Sequence, residues 1–224
     1  MDYNRIRNFI NSYSHDDSGA LGEIYERALE NEVPVIRKDT IEFLRVLIKM
    51  IRPQKILEVG TAVGYSSLMM AETLSQISDD SFWSIDTCEL SADRIAEARD
   101  NISGLGYSDR ITILEGDAAD TLKNLDRDGQ SEKLEYDFIF IDAAKAQYMI
   151  YLDEALRLSH KGTVIVSDNI LADGDILESH FLVEKRDRTI HDRMREYLYR
   201  IKNDERLDTA ILSVGDGIAV SVCL

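Results

Sequence analysis

The sequence predicts an α/β fold: a Rossmann-like doubly wound sheet of five parallel strands, closed by a C-terminal antiparallel hairpin and preceded by N-terminal helices. Three observations lead to this prediction. Short apolar runs alternate with amphipathic helical stretches from Pro53 onward, the first apolar run ends in a glycine-rich turn, and an Asp-Gly turn separates the last two runs. Near-continuous apolar strands that alternate with helices indicate a parallel sheet covered on both faces.

Length and composition fit one domain of residues 1–224. The chain is 44% hydrophobic and 30% charged, which is ordinary for a globular protein. We expect residues 1–52 to form a helical extension and residues 53–224 to form the sheet. The formal net charge of −16 argues against broad electrostatic binding to nucleic acid, although a local basic face remains compatible with it.

Location is predicted from two features. Cys88 and Cys223 lie in apolar, strand-like stretches and are expected to be buried free thiols, which favours a reducing, cytoplasmic setting. No signal peptide is visible at the N-terminus. The most apolar helix, Ile41 to Ile51, is too short and too charged to span a bilayer, so no membrane partner is expected.

The periodicity of apolar residues predicts eight helices and seven strands. The predicted helices are Tyr3–Tyr13, Asp17–Asn31, Lys38–Ile51, Tyr65–Gln76, Ala92–Ser103, Ala119–Leu125, Tyr148–Leu158 and Asp187–Asn203. The predicted strands are Lys55–Val59, Phe82–Glu89, Ile111–Glu115, Phe138–Asp142, Thr163–Ser167, Asp208–Val214 and Gly217–Cys223. The turn Gly215-Asp216-Gly217 joins the last two strands as a hairpin.

The glycine turn after the first strand indicates a ligand site. Because glycine has no side chain, the turn from Gly60 to Gly64 allows a ligand to approach the backbone at the start of a helix. The turn lacks the G-x-G-x-x-G spacing of dinucleotide sites, which favours a nucleoside ligand without phosphates. Glu58 lies in the apolar strand before it, and a buried carboxylate requires either a hydrogen-bonded ligand or a structural donor.

Acidic residues end the next two strands, at the edge of the sheet where ligands gather in open α/β folds. Glu89 ends the second strand just before Ser91, and its carboxylate could accept both hydroxyls of a ribose. Asp86 is the alternative if that strand ends early. After the third strand, Asp117 could bind the amino group of an adenine ring, with a plain turn as the competing interpretation.

The fourth and fifth strands end in a different chemistry. Asp142 ends one strand, and Asp168 and Asn169 follow the other. Two carboxylates and an amide oxygen form an all-oxygen donor set that suits a hard divalent ion such as Mg²⁺. Lys145 lies three residues beyond Asp142, where a nearby cation would disfavour the ammonium and make the amine a candidate general base.

Two other kinds of site are not indicated. The four histidines, at positions 15, 160, 180 and 191, form no spaced cluster, so a zinc site is not expected. The sequence also contains no Gly-x-Ser-x-Gly elbow, which counts against a serine hydrolase.

Taken together, these motifs resemble the class I S-adenosylmethionine-dependent O-methyltransferases of the catechol and caffeoyl-CoA type. The likeness runs from about Val33 to the C-terminus, and the order of its motifs is more specific than any one of them. The motifs are Leu57-Glu58-Val59-Gly60-Thr61-Ala62-Val63-Gly64-Tyr65-Ser66, Phe140-Ile141-Asp142-Ala143-Ala144-Lys145 and Ser167-Asp168-Asn169. The resemblance implies that residues 53–224 bind S-adenosylmethionine and catalyse methyl transfer.

The resemblance also implies roles for individual residues. Those expected to hold S-adenosylmethionine are Val35, Ile36, Glu58, Gly60, Tyr65, Ser66, Glu89, Asp117, Ala118 and Asp142. Those expected to bind Mg²⁺ or another divalent cation are Asp142, Asp168 and Asn169. Lys145 and Asp142 are the expected catalytic residues, with Lys145 helping to deprotonate the acceptor hydroxyl. The acids at Asp86 and Glu89 leave the ribose contact open.

Within that family, the tail is similar to a bacterial branch that methylates 5-hydroxyuridine in tRNA, so the acceptor is either a hydroxylated aromatic small molecule or tRNA. The likeness lies in Arg188-Thr189-Ile190, Arg193-Met194-Arg195-Glu196 and Val214-Gly215-Asp216-Gly217-Ile218-Ala219-Val220. A basic run could contact phosphates or form a solvated helix face. Its members are Lys185, Arg186, Arg188, Arg193, Arg195, Arg200 and Lys202.

Two other functions remain as alternatives: a nicotinamide-dependent dehydrogenase on a Rossmann sheet, and a non-catalytic nucleotide-sensing module. The missing G-x-G-x-x-G spacing and the terminal hairpin speak against the dehydrogenase. The apolar side chains of Ile6, Phe9 and Ile10 could cover the rim of the site or pair two subunits, and the family likeness implies a homodimer.

Overall fold

The computed structural model describes residues 3–14, 16–77, 82–125, 133–180 and 183–224. One of the four histidines, His15, lies outside these residues. The helices are α1 Tyr3–Asn11, α2 Gly19–Glu30, α3 Lys38–Ile51, α4 Tyr65–Ile77, α5 Ala92–Gly104, α6 Ala118–Asn124, α7 Tyr148–Arg157 and α8 Arg188–Asn203. The strands are β1 Lys55–Val59, β2 Ser84–Glu89, β3 Ile111–Glu115, β4 Tyr136–Ile141, β5 Ser159–Ser167, β6 Leu207–Leu212 and β7 Ile218–Cys223.

The seven strands form one sheet in the order β3-β2-β1-β4-β5-β7-β6. Strands β1 to β5 run parallel, whereas β7 pairs antiparallel with both β5 and β6. The predicted fold class, a parallel sheet closed by a terminal hairpin, is therefore confirmed. The strand order reverses between β1 and β4, and a crevice for ligands opens outside the carboxyl ends of strands at such a reversal.

Helices cover both faces of the sheet, and alternating strand residues supply the two cores. Ile56, Phe138 and Phe140 belong to the hydrophobic cluster that includes α3 and α4. Leu57 and Ile139 point to the opposite face and join the cluster that includes α6, α7 and α8. Successive side chains of a strand point to opposite faces, so strands buried on both sides read as continuous apolar runs.

Several elements differ from the predicted ones in their boundaries or were not predicted. Strand β5 begins at Ser159 rather than Thr163, since its first residues are polar and resemble a turn in sequence. Two short 3₁₀ helices, Lys145–Gln147 and Ala172–Leu177, were not predicted. Asp142 lies just after β4 rather than within it, which leaves its side chain free to face the edge of the sheet.

Two polar contacts connect the start of α3 to the turn of the C-terminal hairpin. The guanidinium of Arg37 lies 2.6 Å from the carboxylate of Asp216 in the hairpin turn. At the start of α3, the carboxylate of Asp39 accepts a hydrogen bond from the amide of Gly215 at 2.9 Å. Further along the same helix, Leu44 and Ile48 are fully buried in the hydrophobic cluster that includes β1 and α4. The helical extension thus contributes to the same core as the sheet.

Across the described ranges, no helix has both the length and the apolar character that crossing a membrane would require. Both cysteines in the sequence, Cys88 and Cys223, are buried and free, as predicted.

Candidate active site

The glycine turn brings the ends of β1 and β4 into close backbone contact. Gly60 has a φ of +107°, and a Cβ atom placed on it would lie 2.1 Å from the carbonyl oxygen of Asp142. Only glycine fits this approach. Ala62 in the same turn also has a positive φ, of 47°, and such strained backbone is characteristic of functional turns.

Glu58 lies behind this turn and is fully buried. Its carboxylate accepts hydrogen bonds from the hydroxyls of Ser66, Ser67 and Thr87. Burial raises its pKa to about 7, against the opposing effect of those three hydroxyls. Of the two partners that the sequence left open for this carboxylate, a ligand or structural donors, the structure shows structural donors. Glu58 is not among the residues that line the cavity described below. It joins α4 to strands β1 and β2 instead.

Glu89 ends β2 beside the glycine turn. One carboxylate oxygen accepts a hydrogen bond from the amide of Ala62, and the other accepts from the amides of Leu90 and Ser91, each at 2.9 Å. An ionised carboxylate offers about four acceptor positions, so acceptor capacity remains for a ligand hydroxyl. Asp86 instead accepts a hydrogen bond from the hydroxyl of Tyr136 at 2.7 Å.

A cavity of about 530 Å³ opens at this edge of the sheet, within the size range of small-molecule sites. Most of the residues predicted to bind a ligand line it. They are Val35, Ile36, Gly60, Tyr65, Ser66, Glu89, Asp117, Ala118, Asp142 and Asn169. Asp86 is not part of its lining, so the geometry favours Glu89 over Asp86 as a ribose contact.

Two further lining residues, Tyr65 and Asp117, also have hydrogen-bond partners within the chain. The hydroxyl of Tyr65 donates to the carboxylate of Asp17 at 2.5 Å, which leaves the ring of Tyr65 to face the cavity. Asp117 caps the start of α6 by accepting a hydrogen bond from the amide of Ala119 at 2.9 Å. Its other carboxylate oxygen lies 3.5 Å from the side-chain nitrogen of Gln147.

The sequence prediction missed other residues of this wall. Arg94, Gln147 and Tyr151 line the cavity, and the side-chain oxygen of Gln147 is buried with no hydrogen-bond partner. Gln147 belongs to the 3₁₀ helix that follows the Asp142 loop. No motif or spacing marked it, because its position depends on how that short helix folds over the cavity.

Three residues with oxygen-bearing side chains, Asp142, Asp168 and Asn169, follow the neighbouring ends of β4 and β5, and Asp142 and Asn169 line the cavity. Ile141 pairs with Val59 on one side and with Ser167 on the other, so that Asp142 and Asp168 follow neighbouring positions in adjacent strands. Their backbone amides continue the ladder, from Asp142 to the carbonyl of Val59 and from Asp168 to the carbonyl of Ile141, both at 2.9 Å. The predicted convergence of these strand ends is therefore present.

The electrostatics of this group favour a cation. Burial raises the pKa of Asp142 to about 6, with Asp216 adding to the effect and Lys145 opposing it. Burial and the charge of Asp142 together raise the pKa of Asp168 to about 7. A positive ion bound beside Asp168 and Asp142 would relieve the repulsion by which the charge of Asp142 raises the pKa of Asp168. Asp216, in the hairpin turn, is a contributor that the sequence prediction did not include.

Asn169 completes a donor set that fits a divalent ion. Its φ of 58° is a left-handed conformation that asparagine tolerates, and its side-chain oxygen is buried with no hydrogen-bond partner. An unpartnered buried oxygen beside two carboxylates is the kind of ligand that Mg²⁺ takes in proteins. Lys145 lies in the adjacent 3₁₀ helix, close enough to Asp142 for its charge to affect the pKa of that carboxyl.

The basic run on and before α8 is largely engaged within the chain. Arg193 and Arg195 donate to the backbone carbonyls of Ala146 and Glu178, at 2.9 and 3.3 Å. Arg200 pairs with Asp153. Arg186 pairs with Glu184 and Asp187, and Arg188 donates to the carbonyl of Val183. Lys202 donates to the carbonyl of Thr209 in β6. These contacts favour a structural helix face over a phosphate-binding one.

Comparison with known proteins gives a consistent result. The family model described as O-methyltransferase matches residues 11–223. A catechol O-methyltransferase of Niastella koreensis is 37% identical over 62% of this chain, which spans 59% of that protein. Caffeoyl-CoA O-methyltransferase 1 of Eucalyptus globulus is 30% identical, covering 81% of this chain and 72% of that one. An O-methyltransferase from Bacillus cereus, solved in complex with SAH, aligns with a TM-score of 0.82 at 26% identity, over 98% and 97% of the two chains.

The contact between Gly60 and Asp142 predicts a large effect of Gly60→Ala. The added Cβ overlaps the Asp142 carbonyl, so we expect a loss of about 2–4 kcal/mol in the free energy of unfolding. Gly106→Ala is the matched control, because Gly106 also has a positive φ, of +79°, with nothing within 4 Å of the added atom. Its expected loss is about 1–2 kcal/mol. Urea denaturation measures both, and equal losses would show that the close contact does not matter.

The raised pKa of Glu58 predicts a specific pH dependence. Between its ordinary pKa of about 4.3 and about 7, the folded state binds a proton that the unfolded state has released, so this residue's contribution to stability falls as pH rises. Glu58→Gln removes the ionisable carboxyl group and with it this pH dependence. The stability of the variant minus that of the wild type should therefore rise by about 3 kcal/mol between pH 4 and pH 8. Parallel stability curves for the two proteins would contradict this account of Glu58.

Proposed function

Because this chain belongs to the O-methyltransferase family, we propose that it is a divalent-metal-dependent enzyme that moves the methyl group of S-adenosylmethionine to a hydroxyl of a catechol-like aromatic small molecule. One observation carries the proposal. A cavity of nucleoside size meets an oxygen donor set, Asp142, Asp168 and Asn169, at the same edge of the sheet. Relatives named for catechol and caffeoyl-CoA support a hydroxylated aromatic acceptor.

In this proposal the cofactor occupies the half of the cavity that β1, β2 and β3 line. The carboxylate of Glu89 binds the ribose hydroxyls, and Asp117 and Ala118 lie beside the adenine. Gly60, Tyr65 and Ser66 surround the polar end, with Val35 and Ile36 forming the apolar cover. Glu58 acts from behind the wall, by fixing the hydroxyl of Ser66 and the start of α4. S-adenosylmethionine, when bound, supplies an electrophilic methyl group on its sulfonium.

The acceptor occupies the other half, where Asp142, Asp168 and Asn169 would hold Mg²⁺ or a similar ion. A divalent ion, when bound there, lowers the pKa of a coordinated hydroxyl and helps to orient it. Lys145 lies beside this group, where it takes the proton of the acceptor hydroxyl as the oxygen attacks the methyl carbon. The chain's main contribution is to hold the two reactants in line, since positioning supplies much of the acceleration in group transfer.

We also propose that the acceptor is a small aromatic molecule rather than tRNA, and that the chain forms a homodimer. The internal contacts of the basic run favour a small aromatic acceptor over tRNA. A homodimer is supported by exposed apolar side chains on and after α1, such as Phe9 and Tyr13, which are 64% and 68% exposed. The buried free thiols of Cys88 and Cys223 fit the proposed reducing, cytoplasmic setting.

Methyl transfer from labelled S-adenosylmethionine tests the function directly. The acceptors are catechols, the corresponding phenols with one hydroxyl, and tRNA lacking wobble-uridine modification, each with Mg²⁺ or with chelator. We expect transfer to catechols only with the ion present, and a loss of at least about 100-fold in the double variant Asp168→Ala, Asn169→Ala. That variant should still bind S-adenosylhomocysteine in calorimetry.

Other outcomes of this assay point elsewhere. Transfer to tRNA alone would identify the acceptor as nucleic acid, and undiminished transfer in chelator would remove the metal from the proposal. Tight binding of NAD without a response to S-adenosylhomocysteine would favour a dehydrogenase. Binding of S-adenosylhomocysteine with no transfer to any acceptor would favour a nucleotide-sensing module.

The role proposed for Lys145 gives a separate prediction. Lys145→Met should lower kcat by about 10²–10⁴-fold, as expected for a general base, and leave the affinity for S-adenosylhomocysteine within about twofold. Lys123→Met on α6 is the control, since Lys123 pairs weakly with Asp120, at 4.0 Å on the protein surface. A fall of less than about tenfold for Lys145→Met would argue that another group takes the proton.

A further inference from the structure

Two histidines that are distant in sequence come together beside α8. His180 precedes the helix, and His191 and Asp192 lie in its first turns. One ligand atom from each of these three residues lies within 4.8 Å of the others. Among the described residues, this is the only such group of three histidine, cysteine, aspartate or glutamate side chains. The histidine spacing predicted no zinc site, and the cluster arises only in the folded chain.

The hydrogen bonds of His191 leave one of its nitrogens in need of a positive partner. Its Nε2 lies 3.1 Å from the carbonyl oxygen of Glu178, and because a carbonyl only accepts, Nε2 carries the hydrogen. In a neutral ring, Nδ1 then bears a lone pair. That nitrogen lies 3.1 Å from Oδ1 of Asp192, which is also an acceptor. Two acceptors face each other stably only if a proton or a metal ion lies between them.

His180 points at the same carboxylate oxygen. Its Nδ1 lies 2.8 Å from Oδ1 of Asp192, and its ring centroid lies 6.1 Å from that of His191. The three possible donor atoms, two imidazole nitrogens and one carboxylate oxygen, thus lie within 4.8 Å of one another. This set differs from the all-oxygen group at the strand ends, because imidazole suits borderline ions such as Zn²⁺ rather than Mg²⁺.

Burial around the cluster fits a metal site that solvent can reach. The side chain of His191 is only 2% exposed, and the Glu178 carbonyl fixes its ring as an outer partner of a metal ligand does. The side chains of His180 and Asp192 are 41% and 56% exposed, so a water molecule can complete a tetrahedral set.

We propose that His180, His191 and Asp192 form a second metal site, for Zn²⁺ or a similar transition ion, separate from the group at Asp142. The ion takes the position between Nδ1 of both histidines and the carboxylate of Asp192. The next residue, Arg193, donates a hydrogen bond to the carbonyl of Ala146, beside Lys145. An ion at this cluster would therefore connect the segment before α8 to α8 itself. Through Arg193, α8 also contacts the 3₁₀ helix that contains Lys145.

Metal titration of the full chain tests this site. The protein carries Asp168→Ala and Asn169→Ala so that ions cannot bind at the strand ends, and it is stripped with chelator beforehand. Zn²⁺ affinity is measured by competition with a chromophoric chelator, and the visible absorption of bound Co²⁺ reports the ligand geometry. We expect one bound equivalent with a tetrahedral Co²⁺ spectrum, and a loss of affinity of at least about tenfold on adding His180→Gln or His191→Gln.

His160→Gln is the matched control, since His160 also contacts a carboxylate, that of Asp137 at 3.0 Å, without a second histidine. It should leave Zn²⁺ affinity unchanged. Because His180 is partly exposed, His180→Gln tests the site even if His191→Gln fails to fold. Unchanged affinity in His180→Gln would overturn the proposal. So would the absence of Zn²⁺ binding together with ¹⁵N spectra that show His191 doubly protonated, because a proton would then occupy the position assigned to the ion.

Discussion

The close approach of Gly60 to the backbone of Asp142 is the constraint on which the rest of the site depends. Strand β1 leads into the glycine turn on one side of the cavity and strand β4 leads to Asp142 on the other, and these strands are neighbours at the reversal of strand order. With no side chain at Gly60, the two strand ends can touch through their backbones. The two halves of the cavity are therefore held at a fixed separation by main chain rather than by mobile side chains.

A second layer of polar contacts holds this edge in place from behind. The three hydroxyls on Glu58 come from α4 and β2, and the three amides on Glu89 come from the glycine turn and the residues after β2. Each carboxylate thereby connects separate elements at the point where they meet. Since buried carboxylates are costly unless fully hydrogen-bonded, the sequence must supply all of these donors together. Glu58 is thus connected to the ligand site through its hydrogen bond with Ser66, which lines the cavity.

Much of this arrangement was predictable from sequence because it follows from local pattern. Apolar periodicity predicted the elements, and the polar residues after each strand predicted which side chains share an edge, since parallel strands end together. Contacts set by tertiary folding were not predictable. The donors on Glu58 include Ser67 and Thr87, which carry no signal of their own, and Gln147 reaches the cavity through a 3₁₀ helix. His180 and His191 lie 11 positions apart, and no sequence spacing marks the pair that the fold brings together.

The bond between Asp39 and Gly215 spans 176 residues of sequence and closes the edge of the sheet where the acids gather. Contacts of such high separation are late and slow to form, because the entropy of closing a long loop comes before any gain from packing. Strand β5, which ends just before Asp168, is also covered on that edge only when β7 pairs with it. During synthesis, the residues of the glycine turn emerge long before those of the hairpin. The edge that holds Asp142 and Asp168 reaches its final form only after the segment around Asp216 has emerged, so an incomplete chain lacks the finished site.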